Sequence, residues 1–384
     1  MPHRIAALVC LALGFSVFVL SGAESKTKKT KRALWVSKIH GTPEPPAPYH
    51  TEVAFPKMRF ESPIAMGIVH GTGRLAVAER YGKVFTFKNQ KNAKKELFLD
   101  LKRPIMGLAF HPKFKTNGRF FVTTIADQKK GKRHMRVSSF RVTKGQTWKG
   151  DPESEIALLH WTAGGHTGGC LRFGPDGYLY IGVGDGSGIA DGLLTGQDLS
   201  DLQGSILRID VNRSSRRIPY GLPKDNPFLK TEGARPEIYS YGHRQPWKFS
   251  FDRKGRLFCG EVGQDLWEMV NLIVKGGNYG WSVREGSHPF RPTRKKGPTP
   301  FIDPLVEHNH NDFRSVTGGY VSYSKRLPKL RGAYIYADYD TGRVWSFRHD
   351  GKKVRDHGEL TDTTYRIVAF GTDLEGEIYL VDFV

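Results

Sequence analysis

From Met66 to Asp382 the chain keeps returning to one phrase: an alternating apolar run, a turn containing glycine, and a second apolar run. The copies are MGIVHGTGRLAVAER (66–80), GLAFHPKFKTNGRFFVTT (107–124), LRFGPDGYLYIGVGD (171–185), FSFDRKGRLFCGEVG (249–263), GGYVSYSKRLPKLRGAYIYADY (318–339) and VAFGTDLEGEIYLVD (368–382). Alternation with a period of two around a glycine turn predicts β-hairpins. β-branched and aromatic residues on both sides of each turn do not fit a helical period. Successive copies start about 40 to 80 residues apart, room for roughly four strands each with variable loops. The pattern predicts an all-β, six-bladed β-propeller over 51–384, although a sandwich or jelly roll can also use such hairpins. The sixth copy lacks room for outer strands, so the segment 51–60 is expected to supply one and close the ring. Long loops at 159–170, 183–204, 239–248 and 261–268 are the candidate walls of a site at one mouth of the channel.

Composition narrows the class further. With 38% hydrophobic and 25% charged residues, the chain is neither disordered nor a disulfide-stapled miniprotein. Residues 1–23 open with His3-Arg4, continue through an apolar stretch to Leu20 and end on Ser21-Gly-Ala23. That is the form of a secretory signal, which predicts export to the periplasm or the extracellular space and no stable membrane insertion. Residues 24–50, with a Lys/Thr run and a proline-rich stretch, read as an extended basic leader. The formal net charge of +21 favours anionic partners. The basic runs at 26–32, 129–133 and 294–296 come without a recognition helix, a zinc finger or an RNA-stacking motif, so no nucleic-acid partner is expected. Beyond the leader only Cys170 and Cys259 remain, too few for a disulfide framework, and their spacing leaves pairing open.

Four loops carry candidate chemistry. Gly164-Gly-His166-Thr-Gly-Gly offers an imidazole that titrates near neutrality among glycines that permit close approach. Gly182-Val-Gly-Asp185-Gly-Ser-Gly lacks the Lys-Ser/Thr ending of a phosphate loop and reads as a tight turn holding Asp185. Tyr239-Ser-Tyr-Gly-His-Arg244-Gln245-Pro-Trp places a guanidinium and an amide just before a strand, where the arginine can grip a carboxylate or pair within the fold. Gly260-Glu-Val-Gly263-Gln264-Asp-Leu-Trp-Glu268 is rich in oxygen donors of the kind Ca²⁺ accepts, without matching an EF-hand. Glu307-His-Asn-His310 reads as a polar loop rather than a transition-metal site.

Taken in order, GLAFHPKF (107–114), GHTGGCLRFGPDGYLYIGVGDG (165–186), LQGSILRIDV (202–211), KDNPF (224–228), EIYSYGHRQPW (237–247), EVGQ (261–264), NLIVKGGNYGW (271–281) and TGGYV (317–321) resemble the glucose/sorbosone dehydrogenase family. These are soluble quinoprotein sugar dehydrogenases, and the same motifs occur in hedgehog-interacting-protein-like propellers. The resemblance covers about residues 52–384. It implies a six-bladed propeller that binds pyrroloquinoline quinone (PQQ) and Ca²⁺, oxidises an aldose and passes electrons to a separate acceptor, a cytochrome or a quinone. By resemblance His166 is the general base and Arg244 faces the quinone. Gln245 stands where an asparagine usually contacts the cofactor. Asp185 lies beside the pocket, and Arg366 meets a cofactor carboxylate. Gly263 and Gln264 offer carbonyls to the calcium, with Glu268 as a further ligand displaced by one position, because Met269 occupies the usual place. Other departures are Gly165 before the base, Lys102-Arg-Pro104 without a cofactor glutamine, and no lysine near 339–341.

Two other functions fit parts of the same sequence. One is a non-catalytic propeller that binds an anionic glycan or a protein partner, favoured by the departures and the basic surface. The other is a calcium-dependent lactonase, a hydrolysis that six-bladed propellers also host.

Overall fold

The computed structural model describes residues 47–129, 132–143, 145, 149–215 and 217–384. The signal at 1–23 and nearly all of the leader at 24–50 lie outside the described residues. Five sheets of four antiparallel strands follow one another along the chain. The first contains β1 (Pro63–Val69), β2 (Arg74–Glu79), β3 (Lys83–Lys88) and β4 (Glu96–Asp100). The second contains β5 (Ile105–Phe110), β6 (Arg119–Lys129), β7 (Lys132–Val142) and β8 (Gly150–Ala163), with the short helix α1 (Phe114–Asn117) in its first turn. The third contains β9 (Leu171–Phe173), β10 (Leu179–Val183), β11 (Ser205–Ile209) and β12 (Ile238–Tyr241). The fourth joins β13 (Pro246–Phe251), β14 (Leu257–Glu261) and β15 (Trp267–Ile273) to β18 (Val306–Asn309), around a small hairpin of β16 (Arg284–Glu285) and β17 (His288–Pro289). The fifth contains β19 (Val316–Val321), β20 (Tyr334–Asp338), β21 (Val344–His349) and β22 (Val354–Thr361). The last unit is the two-stranded sheet of β23 (Ile367–Thr372) and β24 (Ile378–Asp382).

The architecture is an all-β propeller, with a correction to its blade count. The sequence predicts six blades, and the structure forms five four-stranded blades plus the β23–β24 hairpin. Each of the six hairpins read from the sequence is the inner pair of one unit. β23 packs between β1 and β19 and so fills the gap in the ring. The segment 51–60 adds no strand to it. Pro56 removes one of its ladder donors, and it covers the hairpin by side-chain contact instead. Phe55 stacks on Tyr379 with ring centroids 5.6 Å apart, and Met58 is buried. The Ser62 amide meets the Val384 carbonyl at 2.7 Å. Glu307-His308 likewise belongs to the outer strand β18 rather than to a loop.

Aromatic residues at the alternating positions fill the space between neighbouring sheets. Phe98, Phe110, Phe114 and Phe120 form one such cluster between the first two blades, with Phe98 edge-on to Phe120 at 4.9 Å. Each buried phenylalanine contributes about 1.5–3 kcal/mol. Inner strands converge so closely that a Cβ on Gly107 would lie 2.0 Å from the Gly169 carbonyl. Because each blade is a meander starting at the axis, the start of every inner strand and the end of the next face the same mouth. His166 just precedes β9, Arg244 precedes β13 and Arg366 precedes β23, while Asp185 follows β10 and Gly263-Gln264 follow β14. Topology alone therefore gathers the candidate residues at one opening. Cys170 and Cys259 are buried, free thiols. Among the described residues no helix is long and apolar enough to cross a membrane.

Candidate functional site

The loop carrying His166 is tied to the loop after β10. The Gly164 amide donates to the Gly186 carbonyl at 2.7 Å, and the amide of His166 donates to the Ser187 carbonyl at 3.2 Å. These bonds bring the His166 ring onto Asp185, with Nδ1 2.7 Å from Oδ1. Asp185 is fully buried, and its carboxylate also accepts the Ser187 amide at 2.9 Å and the Trp281 indole N–H at 2.8 Å. A carboxylate has no proton to give, so Nδ1 of His166 is the donor, and in the neutral ring Nε2 carries the lone pair. The imidazole keeps 14% of its surface open. Ser187 Oγ, buried beside it, has no partner among the described residues.

Arg244 reaches the same place from the fourth blade. Its carbonyl accepts the Asp185 amide at 2.8 Å, and its guanidinium lies 5.6 Å from the Trp281 ring. His166 and Arg244 are thus linked through Asp185 and Trp281 at one site. The arginine is 8% exposed, and one Nη donates to the Val262 carbonyl at 3.1 Å. Burial pulls its pKa down, opposed by the carboxylates of Asp185, Glu268, Glu285 and Glu261. Behind it Arg244 and Asn271, whose Nε and Oδ1 are buried without partners among the described residues, line a cavity of about 10 Å³. One donor and one acceptor around a space of that size suit a single bridging water.

The remaining expected residues are placed differently. Gln245 Oε1 accepts the Gly168 amide at 2.9 Å and so holds the histidine loop. Arg366 is exposed, with its guanidinium 5.8 Å from the Tyr339 ring and its amide on Asp382 at 2.9 Å. Glu268 is wholly buried and directed inward, where its carboxylate accepts the amides of Gly263 at 3.2 Å and Val316 at 2.8 Å. His310 Nε2 lies 3.3 Å from it, and this contact raises the pKa of His310. Gly263 and Gln264 do reach the mouth, and no donor is bonded to either carbonyl among the described residues. Gly263 is required there, since a Cβ would sit 1.7 Å from the Trp267 carbonyl.

Sequence reasoning missed what holds this loop in place. Glu285 is buried, and its carboxylate accepts the amides of Gln264 at 2.5 Å, Asp265 at 2.7 Å and Leu266 at 3.3 Å. Three consecutive amides pointing at one carboxylate fix the loop's orientation. Glu261 plays a similar part, with the His243 ring nitrogen, the Arg244 amide and the Asn271 amide group all within 2.8 Å. In the sequence Trp281 stands out only as the last residue of the NLIVKGGNYGW motif. Among the described residues no group of three His, Cys, Asp or Glu side chains is set to hold a metal. A cation here would depend on carbonyl oxygens, which Ca²⁺ accepts.

For a planar, anionic cofactor the fit is partial. Unpartnered donors at Ser187 and Arg244 and a free imidazole nitrogen suit ligand oxygens, whereas Gln245 and Glu268 are committed within the protein.

The model of the family described as "Glucose / Sorbosone dehydrogenase" matches residues 60–382. HIPL1 protein of Arabidopsis thaliana is 33% identical over 310 residues, covering 65% of this chain and 45% of that protein. Human Hedgehog-interacting protein is 32% identical over 359 residues, covering 82% of this chain and 48% of that protein. The chain spans about half the length of these curated relatives. In fold it is similar to the PQQ-bound form of aldose sugar dehydrogenase from Streptomyces coelicolor, with a TM-score of 0.65 and 23% identity over 85% of this chain and 89% of that one. With a family match spanning nearly all of the propeller, the chain belongs to the glucose/sorbosone dehydrogenase family.

Proposed function

We propose that this protein is an exported sugar dehydrogenase that oxidises an aldose hydroxyl with PQQ and Ca²⁺, using His166 as the base. The observation that carries this reading is the Asp185–His166 pair, in which Nδ1 is held on a buried carboxylate so that a neutral ring presents the Nε2 lone pair, with Arg244 joined to Asp185 through its backbone carbonyl. Asp185 orients the ring and stabilises the imidazolium that forms when Nε2 takes the proton of a substrate hydroxyl. Bound PQQ would supply the two-electron acceptor, with Ca²⁺ polarising it. Arg244 would direct its free N–H groups at an oxygen that gains negative charge. The carbonyls of Gly263 and Gln264 would hold the cation, with Glu285 keeping their loop in register. Arg366 is free to move from the Tyr339 face toward a carboxylate at the rim. The partners implied are a sugar and a separate electron acceptor.

The inward direction of Glu268 and the engagement of Gln245 favour a second reading, a propeller that binds a glycan or a protein without turnover. Reconstitution with PQQ and Ca²⁺, followed by PQQ absorbance and sugar-dependent reduction of a dye, separates the two. The dehydrogenase reading expects saturable uptake and turnover that His166→Ala abolishes while uptake remains. Uptake without turnover over a broad aldose panel, or no uptake at all, refutes it.

A further inference from the structure

The six innermost strands, β1, β5, β9, β13, β19 and β23, contain no aspartate or glutamate. Their only charged residues are Arg172 and Lys248, and both are cations. Lys248 is 3% exposed, and its Nζ crosses from β13 to the Ile64 carbonyl on β1 at 2.9 Å, three units away around the ring. It therefore spans the central channel. Next to it Trp247 reaches the Val368 carbonyl of β23 at 3.2 Å, so two successive side chains narrow the channel. Arg172 enters from β9, with one Nη on its neighbour's carbonyl at 2.8 Å and its guanidinium 5.6 Å from the Tyr320 ring of β19. Its Nε is buried and has no partner among the described residues.

These cations act on one another. Burial, above all, together with the charges of Arg172 and Arg80, pushes Lys248 down to about 8. The other groups that act on the two cations are Tyr320 and Cys170, and neither is a carboxylate. Burial pushes Tyr320 up, so its phenol is neutral at pH 7. Arg80 meets the Met106 sulfur and has no acidic partner among the described residues. A buried lysine beside a half-buried arginine, with no carboxylate bonded to either among the described residues, is costly, and proteins rarely keep such cations so.

We propose that the propeller channel is a binding site for one small monovalent anion of the halide class, held between Lys248 Nζ and the Arg172 guanidinium. The free N–H groups of Lys248 and the orphaned Nε of Arg172 supply its donors. The Trp247 and Lys248 crossings favour a compact, spherical ion over a larger oxyanion. The ion ties the third and fourth blades to the first, which makes it structural and distinct from the chemistry at the mouth.

Crystals of the unaltered protein soaked in sodium bromide should show an anomalous peak between Lys248 and Arg172. In solution, replacing gluconate by chloride at constant ionic strength should raise Tm by about 2 °C or more. The variants Lys248→Met and Arg172→Met should each lose that rise. Absence of the peak overturns the proposal. So does a peak without chloride-dependent stabilisation, or a stabilisation that survives both substitutions.

Discussion

Replacing Asp185 by asparagine tests the arrangement that carries the proposed chemistry. The native carboxylate accepts from His166 Nδ1, the Ser187 amide and the Trp281 indole at 2.7, 2.9 and 2.8 Å. Asparagine is nearly isosteric but has one acceptor oxygen. With that oxygen toward His166, its NH₂ faces the indole N–H, donor against donor. With the amide reversed, its NH₂ faces Nδ1, and the ring must carry its proton on Nε2. The first arrangement loses a charge-assisted bond and strands a buried N–H, about 1.5–3 kcal/mol of stability. The second removes the base itself, a loss of about 10²- to 10⁴-fold in kcat, or about 2.7–5.5 kcal/mol. Two assays read this out. Imidazole ¹⁵N spectra report which His166 nitrogen carries the proton, whether or not a cofactor is bound. Steady-state rates with PQQ, Ca²⁺ and an aldose report the consequence. An Asp185→Asn variant that keeps the Nδ1–H tautomer and turns over within about threefold of the native rate would refute the orienting role.

Two other predictions follow from the same mouth. Gly263→Ala places a Cβ against the Trp267 carbonyl at 1.7 Å, so the loop must shift. The expected cost is about 1–3 kcal/mol in denaturant unfolding, with loss of any Ca²⁺-dependent rise in Tm that the native protein shows. An unchanged Tm and an unchanged calcium response would show that the loop geometry is not needed. His310 gives a pH dependence: Glu268 raises its folded pKa above the 6.5 of the free side chain. The stability it contributes is therefore fully present below about pH 6.5 and is lost as pH rises through the higher folded value. His310→Ala should cost about 1–3 kcal/mol at pH 5.5, with a smaller gap to the native protein at pH 8.5. A gap that widens with pH would reverse the assignment.

The fold was legible because its signal is local. Alternation around Gly-containing turns, as in LRFGPDGYLYIGV, encodes a hairpin within about 15 residues, and all six hairpins form the inner pairs of their units. Closure of the ring was less legible, because it depends on whether a prolyl segment can join a ladder. Phe55 and Met58 bury themselves without doing so. At the site, His166, Asp185 and Arg244 stand in motifs whose loops the topology brings to one mouth. Their linkage could not be read from spacing, since Asp185 meets Trp281 across 96 residues. Glu285 left no trace in the sequence either. An isolated acid in a short hairpin looks like any surface residue until the backbone turns the amides of Gln264 to Leu266 toward it.

The arginine at the mouth and the cations of the channel stand in opposite surroundings, and this separates their roles. Arg244 feels the carboxylates of Asp185, Glu268, Glu285 and Glu261, which oppose the burial that pulls its pKa down. A guanidinium in that position gains little from a full negative charge nearby. It is suited to orienting a polar oxygen and to stabilising charge that grows there during a reaction. Arg172 and Lys248 have no acid on any inner strand, and the charges of Arg172 and Arg80 act on Lys248 repulsively. At an effective dielectric constant near 20, a monovalent anion about 4 Å from one such charge gains about 4 kcal/mol before desolvation. The same calculation at Arg244 must subtract the repulsion of four carboxylates. An anion held for its charge therefore belongs in the channel, and a ligand held for its developing charge belongs at the mouth.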